Sequence, residues 1–230
     1  MIYNIEPQFD SRLAVKQYIV EKQFTRVLDV GGSYGNWTKG YSTHFLDINP
    51  NLDSPLKVFI GDINDEYGWE EVMQDVIANG KFDFAIASHV LEDIRNPVYV
   101  LKKLPQIAKE GYIIGPNKHF ELSYVENVVE RDDINPPLCG VIRSYRGFCH
   151  HRWIMSIQDM ETTPVYCLFP KLPMILCISD WEWVNRNSEL GELSFWWKDS
   201  IKFKVINNDF IGPSPKFIFD LYRSELLRGI

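Results

Sequence analysis

The chain has 230 residues, of which 45% are hydrophobic, and a formal net charge of −7. This length suits one domain with a substantial core and is too short for two full enzymes. The basic residues form no run that would follow a phosphate backbone, which disfavours nucleic acid as a partner, although Arg143, Arg146 and Arg152 could form a local basic patch. The sequence has no long apolar run and no features of a secretion signal, so we expect a cytoplasmic protein without a membrane span.

The first predicted elements are an amphipathic helix from Ser11 to Gln23 and a buried strand, Val27–Val30, which ends in a glycine-rich turn. Gly31, Gly32 and Gly35 lack Cβ atoms, so a ligand can approach the main chain of this turn closely. A helix beginning beyond the turn would present free N–H groups, which suit a carboxylate or a phosphate. The segment therefore predicts a cofactor site.

The spacing of the glycines separates two classes of cofactor. A dinucleotide fingerprint G-x-G-x-x-G beginning at Gly31 needs two further glycines, but Ser33 and Asn36 stand there. The pattern D-x-G-x-G-x-G of S-adenosyl-L-methionine enzymes is met by Asp29, Gly31 and Gly35 and fails only at Ser33. The second pattern is the better match.

Three further strands carry polar residues at their ends. Phe45–Asp47 ends in a carboxylate that can accept both ribose hydroxyls of a nicotinamide or S-adenosylmethionine cofactor. Val58–Ile63 places Asp62 where an adenine amino group could donate to it. Phe82–Ser88 is a fourth strand, which we expect to continue directly into a helix.

Together these motifs resemble the class I S-adenosylmethionine-dependent methyltransferases over residues 27–117. That superfamily commonly contains V-L-D-x-G-x-G-x-G, an acid after the second strand, G-D-[IL] and F-D-x-[IV]-x-x-[SN]-H-V-L-E-H. This chain departs from the pattern at Ser33 and at Asp93, where the second histidine is common. The resemblance implies that the turn holds the methionine portion, Asp47 the ribose, and Asp62 with the Ile63 amide the adenine. The full set of expected cofactor residues is Asp29, Gly31, Gly32, Ser33, Gly35, Asp47, Asp62, Ile63 and Ser88.

The fold class follows from the alternation of strands and helices. Helices are predicted at Glu70–Ala78 and from Pro97 to Ala108, the latter broken near Pro105, with a fifth strand at Gly111–Gly115. We expect an α/β fold with a doubly wound, mostly parallel sheet. The resemblance implies seven strands, with an antiparallel pair from residues 160–206, and Ile201–Ile206 suits a late antiparallel strand.

We predict a single domain over residues 1–230. Residues 1–117 would form the S-adenosylmethionine-binding core, and the aromatic-rich residues 118–230 would form a substrate-facing segment with the closing strands.

His89 is the predicted catalytic base, because it follows the fourth strand at the edge where the cofactor's methyl group would point. The alternative is that His89 packs against or caps the following helix. Glu92, one helical turn later, would orient the His89 ring or interact with the helix dipole, and Ser88 could cap the same helix.

His150, His151 and Arg152 are the predicted substrate-contacting residues, against the alternative that the histidines are solvated or in the core. Alternation along a strand would place His150 and His151 on opposite faces. The pair follows Cys149, which suggests zinc, but no second closely spaced ligand pair accompanies it, and we expect no metal. The four cysteines, Cys139, Cys149, Cys167 and Cys177, predict reduced, apolar thiols.

Three other clusters have ordinary explanations. Trp181–Trp183 and Phe195–Trp197 could form a flat stacking wall, but tryptophan more often fills a core or an interface. The run Glu130–Asp133 could suggest a divalent metal, and a solvated surface is the better interpretation.

The sequence thus predicts a methyltransferase that binds S-adenosyl-L-methionine and acts on a small-molecule or glycan-like acceptor, at oxygen. The alternative is a methyltransferase-like protein that serves as a non-catalytic interaction subunit, and a nicotinamide-dependent oxidoreductase is a third. The oligomeric state is left open, a homodimer included.

Overall fold

The computed structural model describes residues 3–4, 8–49, 54–118, 121, 148, 150–160, 163–171 and 192–206. The described residues of the first half of the chain form three α-helices: α1 (Gln8–Glu21), α2 (Glu70–Asn79) and α3 (Pro97–Ile107). All three were predicted to within three residues at each end, although Pro105 lies inside the last turn of α3 and the helix continues to Ile107.

Within the described ranges, seven strands form the main sheet, in the order β1-β9-β6-β5-β2-β3-β4. Their bounds are β1 (Tyr3–Asn4), β2 (Val27–Val30), β3 (His44–Asp47), β4 (Lys57–Ile60), β5 (Phe82–Ser88), β6 (Ala108–Pro116) and β9 (Glu192–Lys198). The five strands β4, β3, β2, β5 and β6 are parallel, whereas β9 runs antiparallel to both β6 and β1. The predicted α/β fold with a mostly parallel sheet is confirmed. Of the antiparallel pair predicted from residues 160–206, β9 is the one strand that the described part of the chain places in this sheet, and its outer neighbour is β1.

The core covers both faces of this sheet. On one face, Val15 and Ile19 of α1 pack with Val27 and Ile86. On the other, Leu28 and Val30 join the apolar residues of α2 and α3. Successive residues of β2 therefore point into two different cores, as expected for a parallel sheet covered on both sides.

A second, three-stranded sheet consists of β7 (Trp153–Met160), β8 (Thr163–Pro170) and β10 (Phe203–Val205), in the order β10-β8-β7. The predicted strand at Ile201–Ile206 exists as β10, but its predicted antiparallel direction is wrong. It pairs in parallel with β8, because the chain crosses from the main sheet after β9 and enters the second sheet in the direction of β8. Alternation of apolar and basic residues predicts a strand but not its partner.

The predicted helix immediately after β5 is also wrong. His89–Arg95 forms turns, and α3 begins only at Pro97. The physical reason is a strong start signal: the Asn96 side chain accepts a hydrogen bond from the Tyr99 N–H, and proline occupies the first helical turn. Neither helix capping by Ser88 nor a dipole role for Glu92 therefore applies.

The aromatic run Phe195–Trp197 belongs to the core, so the stacking-wall interpretation is wrong there. Phe195 and Trp197 are buried in the main core, and Trp196 packs edge-on against Tyr18 and Tyr112. Cys167 is a buried thiol, as predicted. Among the described helices, none combines the length and apolar character that crossing a membrane requires. Several predictions lie outside the described residues, namely those on Arg143, Arg146, Cys139, Cys149, Cys177, Glu130–Asp133 and Trp181–Trp183.

Candidate functional site

The turn after β2 is built around close contacts that only glycine permits. Gly31 has a φ of +73°, and a Cβ there would lie 2.5 Å from Cγ2 of Val90. A Cβ on Gly32 would lie 2.1 Å from the carboxyl carbon of Asp29. The Thr38 hydroxyl donates to that same carboxyl group at 2.6 Å. The buried Asp29 side chain therefore packs against Gly32 and links the turn to Thr38.

A cavity of about 540 Å³ opens at the carboxyl ends of β2, β3 and β4. It lies where open parallel sheets bind their ligands, and its volume suits a nucleoside-sized cofactor. The predicted residues that line it are Gly31, Asp47, Asp62, Ile63, His89 and Arg152. Residues that the sequence assigned to two different roles, the cofactor motifs and the substrate segment, thus meet in one cavity.

Two carboxylates stand on the cofactor side of this cavity. Asp47 ends β3, and its Oδ1 accepts a hydrogen bond from the Asn49 N–H at 2.8 Å. Asp62 accepts from the Asn64 backbone and side-chain amides at 2.9 and 2.6 Å. Both side chains are held by local bonds on one edge, so their orientation is fixed before any ligand arrives.

The Ile63 position is fixed from the other side. Its carbonyl accepts a hydrogen bond at 3.1 Å from the indole of Trp69, which is fully buried. The Asn64 side chain accepts in turn from the Asn96 N–H at 2.7 Å and so ties this turn to the start of α3. Asn64 lines the cavity and was not predicted, because no local pattern marks it.

Five predicted cofactor residues lie outside the cavity lining, namely Asp29, Gly32, Ser33, Gly35 and Ser88. Asp29 and Gly32 are buried beneath the turn. The Ser88 hydroxyl accepts a hydrogen bond from the Trp37 indole at 3.0 Å. Their direct contact with a cofactor stays a prediction, and the contacts of Asp29 and Ser88 indicate that these two side chains position the turn.

His89 lies at the boundary between the cofactor motifs and the opposite wall. It has a φ of +50°, and its N–H donates to the Ile114 carbonyl of β6. Its Nε2 is 2.6 Å from Oε1 of Glu192, and its Nδ1 is 3.3 Å from Oε1 of Glu92. Both ring nitrogens therefore face carboxylates that are themselves buried.

This arrangement favours the charged imidazolium. Burial lowers the pKa of His89, but the hydrogen bonds and charges of Glu192 and Glu92 outweigh it and raise the pKa to about 9. Arg12 of α1 also contacts Glu192 at 2.6 Å. At neutral pH His89 is thus mainly protonated and can donate but not accept a proton. The predicted role as a base is therefore open only to the fraction of molecules in which this imidazole is neutral.

A second histidine cluster lies beside the first. His150 and His151 both point Nε2 toward Oδ1 of Asp93, at 3.9 and 3.8 Å. The predicted placement of these two histidines on opposite faces is wrong, because they lie in the turn before β7 rather than within a strand. His151 is buried, and its Nδ1 is 2.6 Å from the buried Glu121 carboxylate.

Comparison with known proteins agrees with the geometry. The family model described as "Methyltransferase domain" matches residues 9–163, which include β2 to β6 and His89. The chain belongs to this family. As a class I methyltransferase it has S-adenosyl-L-methionine as its cofactor, in agreement with the prediction.

Solved structures give more distant similarities to this methyltransferase. An S-adenosylmethionine-dependent methyltransferase from Mesorhizobium loti is 10% identical, with a TM-score of 0.36 over 50% of this chain and 58% of its own length. The N-terminal domain of EvdMO1, crystallised in the presence of S-adenosylhomocysteine and D-fucose, is 11% identical, with a TM-score of 0.41 over 83% of this chain and 84% of its own. The plantazolicin methyltransferase BpumL is 12% identical, with a TM-score of 0.41 over 81% and 82%. No curated protein sequence matches the chain significantly.

Proposed function

We propose that the chain transfers a methyl group from S-adenosylmethionine to an oxygen atom of a small-molecule or glycan-like acceptor. The observation that carries the proposal is the single cavity lined by Gly31, Asp47 and Asp62 on one side and by His89 and Arg152 on the other. The first three residues follow the strands that carry the cofactor motifs. His89 and Arg152 place polar groups at the part of the cavity where we expect an acceptor to bind.

The residues on the cofactor side fit the cofactor chemically. Asp47 offers a carboxylate for the two ribose hydroxyls, and Asp62 with the Ile63 amide offers an acceptor and a donor for adenine. The Gly31 turn exposes main-chain atoms that a larger side chain would block. The bound cofactor supplies an electrophilic methyl group, and the protein has to align an acceptor atom with it and manage one proton.

On the acceptor side, the polar groups suit an acceptor rich in hydroxyls. Arg152 is an exposed side chain, while its backbone N–H donates to the Glu92 carbonyl at 2.6 Å, which fixes its position. Asp93 also lines the cavity. The net charge of −7 disfavours a polyanionic acceptor. A hydroxyl acceptor would deliver its proton to His89 only in the fraction of molecules whose imidazole is neutral.

The test is calorimetric titration of the purified chain with S-adenosylmethionine, S-adenosylhomocysteine and, as a control for the oxidoreductase alternative, NADH. We expect the first two to bind and NADH not to bind. Asp47→Asn should weaken S-adenosylhomocysteine by about 10- to 100-fold, because hydrogen bonds to a charged group contribute about 1.5–3 kcal/mol. Asp199→Asn is the matched control, since Asp199 is exposed at the opposite edge of the sheet, next to Lys109 at the start of β6.

Unchanged affinity in Asp47→Asn would contradict the assigned cofactor pocket. The alternative, a non-catalytic interaction subunit, is favoured by one feature of the site: both ring nitrogens of His89 face buried carboxylates, which raise its pKa to about 9 and oppose a role as a base. Cofactor binding without methylation of any sugar or small hydroxylated acceptor, also at pH 9, would support that alternative.

A further inference from the structure

A cluster of potential metal ligands stands at the acceptor end of the cavity. Asp93 comes from the turn between β5 and α3, and His150 and His151 come from the turn before β7. One ligand atom from each of the three lies within 4.8 Å of the other two. Asp93 and the neighbouring Arg152 both line the cavity.

The spacing of these atoms leaves room for an ion. The His150 and His151 Nε2 atoms are 3.9 and 3.8 Å from the same Asp93 oxygen, which is too long for a direct hydrogen bond. Two ligands bonded to one metal at about 2.1 Å are separated by about 3.0 Å when adjacent and by at most about 4.2 Å. Small side-chain rotations therefore suffice to bring all three atoms onto one ion.

A buried carboxylate fixes the tautomer that metal binding needs. His151 Nδ1 lies 2.6 Å from Oε1 of Glu121, so the neutral imidazole that binds a metal would donate its Nδ1 proton to that carboxylate and turn its Nε2 lone pair toward Asp93. The Lys171 ammonium pairs with the other Glu121 oxygen, and both side chains are fully buried. Carboxylate–histidine pairs of this kind orient and strengthen histidine ligands in metal sites.

We propose that Asp93, His150 and His151 bind one divalent transition-metal ion at the acceptor end of the cavity. Two imidazoles and one carboxylate favour such an ion over Mg²⁺ or Ca²⁺, which prefer oxygen ligands, and three protein ligands leave coordination positions open. This departs from the expectation of no metal, which rested on a strand at His150 and His151 and on the lack of a second closely spaced ligand pair in the sequence. The role of the ion, orienting an acceptor hydroxyl, rests on the proposed function, whereas its binding does not.

The test uses the full chain, stripped of metal with a chelator and titrated with Co²⁺, whose visible absorption reports its coordination. We expect one Co²⁺ per chain. Asp93→Asn and His150→Gln should each weaken binding by at least about 10-fold, since each removes a direct ligand. His150 is about half exposed and its ring contacts only Phe148 and His151 among the described aromatic residues, so circular dichroism also checks the fold of its variant. Asp199→Asn is again the control and should leave the affinity unchanged.

Glu121→Gln separates an indirect role from a direct one. It should weaken Co²⁺ by about 10- to 100-fold while the absorption bands of the bound ion keep their positions, because Glu121 acts through His151. Circular dichroism checks its fold. No saturable Co²⁺ binding, or binding unaffected by both Asp93→Asn and His150→Gln, would overturn the proposal.

S-adenosylhomocysteine titration of the same samples tells the two proposals apart. If the wild-type chain binds S-adenosylhomocysteine but shows no saturable Co²⁺ binding, the metal site alone is refuted. The reverse result refutes the cofactor pocket alone.

Discussion

Gly31 provides the sharpest test of how the cofactor turn is built, because two separate constraints act on it. Its φ of +73° lies in the left-handed region, and a Cβ would approach Cγ2 of Val90 to 2.5 Å. An L-residue in this region costs about 1–2 kcal/mol, and an extra methyl group in a packed space costs about 1–3 kcal/mol. Gly31→Ala should therefore lower the free energy of unfolding by about 2–5 kcal/mol.

Two other glycines isolate the separate contributions. Gly40 has a φ of +86° with no atom within 4 Å of the position that a Cβ would occupy, so Gly40→Ala should cost only the backbone part, about 1–2 kcal/mol. Gly35 has open space and no left-handed φ, so Gly35→Ala should be neutral or stabilising by up to about 1 kcal/mol. Val90→Ala combined with Gly31→Ala should recover most of the steric part but none of the backbone part, because it removes Cγ2 at 2.5 Å and leaves the Val90 Cβ at 3.0 Å.

The assay is urea denaturation of the four single variants and the Gly31→Ala, Val90→Ala double variant, with S-adenosylhomocysteine titration of each folded protein. For a domain of this size, each kcal/mol should also lower Tm by about 2–4 °C. The reasoning is refuted if Gly31→Ala is no more destabilising than Gly40→Ala, or if the double-mutant cycle shows no coupling between Gly31 and Val90.

Two further predictions concern pH. The pKa of His89 is raised to about 9 from an ordinary value of about 6.5. The contribution of protonated His89 to the free energy of unfolding is therefore complete below about pH 6.5 and is lost as the pH rises through about 9. NMR titration of the His89 ring should show this midpoint. Glu192→Gln should lower the midpoint, because it removes one of the two carboxylates beside the ring while Arg12 and Glu92 remain in place. An unchanged midpoint would contradict the conclusion that Glu192 raises the pKa of His89. Burial raises the pKa of Asp29 to about 7 despite the Thr38 hydrogen bond, so wild-type stability should fall as pH rises from about 4 to 7. Asp29→Asn should flatten that fall, measured by urea denaturation, and an unaltered slope would show that Asp29 is not the group responsible.

The cofactor half of the site was predictable because its residues follow their own strands in sequence. Asp47 is the last residue of β3 and Asp62 lies two residues after β4, and parallel strands bring their carboxyl ends to one edge. Once the alternation of strands and helices is recognised, no long-range information is needed to place these two side chains beside Gly31.

Glu192 illustrates what the sequence could not supply. It contacts His89 only because β9 inserts antiparallel beside β6, with Glu192 opposite Pro116. Local patterns predict a strand there but not its partner or register, on which the contact depends. Glu121 is similar, because its role depends on a histidine and a lysine that follow it at distances no local pattern relates.

The helix predicted at residues 89–95 is the most instructive error, because both histidine clusters depend on the turns that this segment forms instead. In the predicted helix, His89, Glu92 and Asp93 would share one face at spacings of three and four residues. In the observed turns, the Glu92 side chain points inward, with 1% of its surface exposed, and faces His89, whereas Asp93 is 44% exposed and faces His150 and His151. The late helix start at Pro97 thus divides two adjacent carboxylates between two sites, one that holds a proton on His89 and one with the geometry to hold a metal ion.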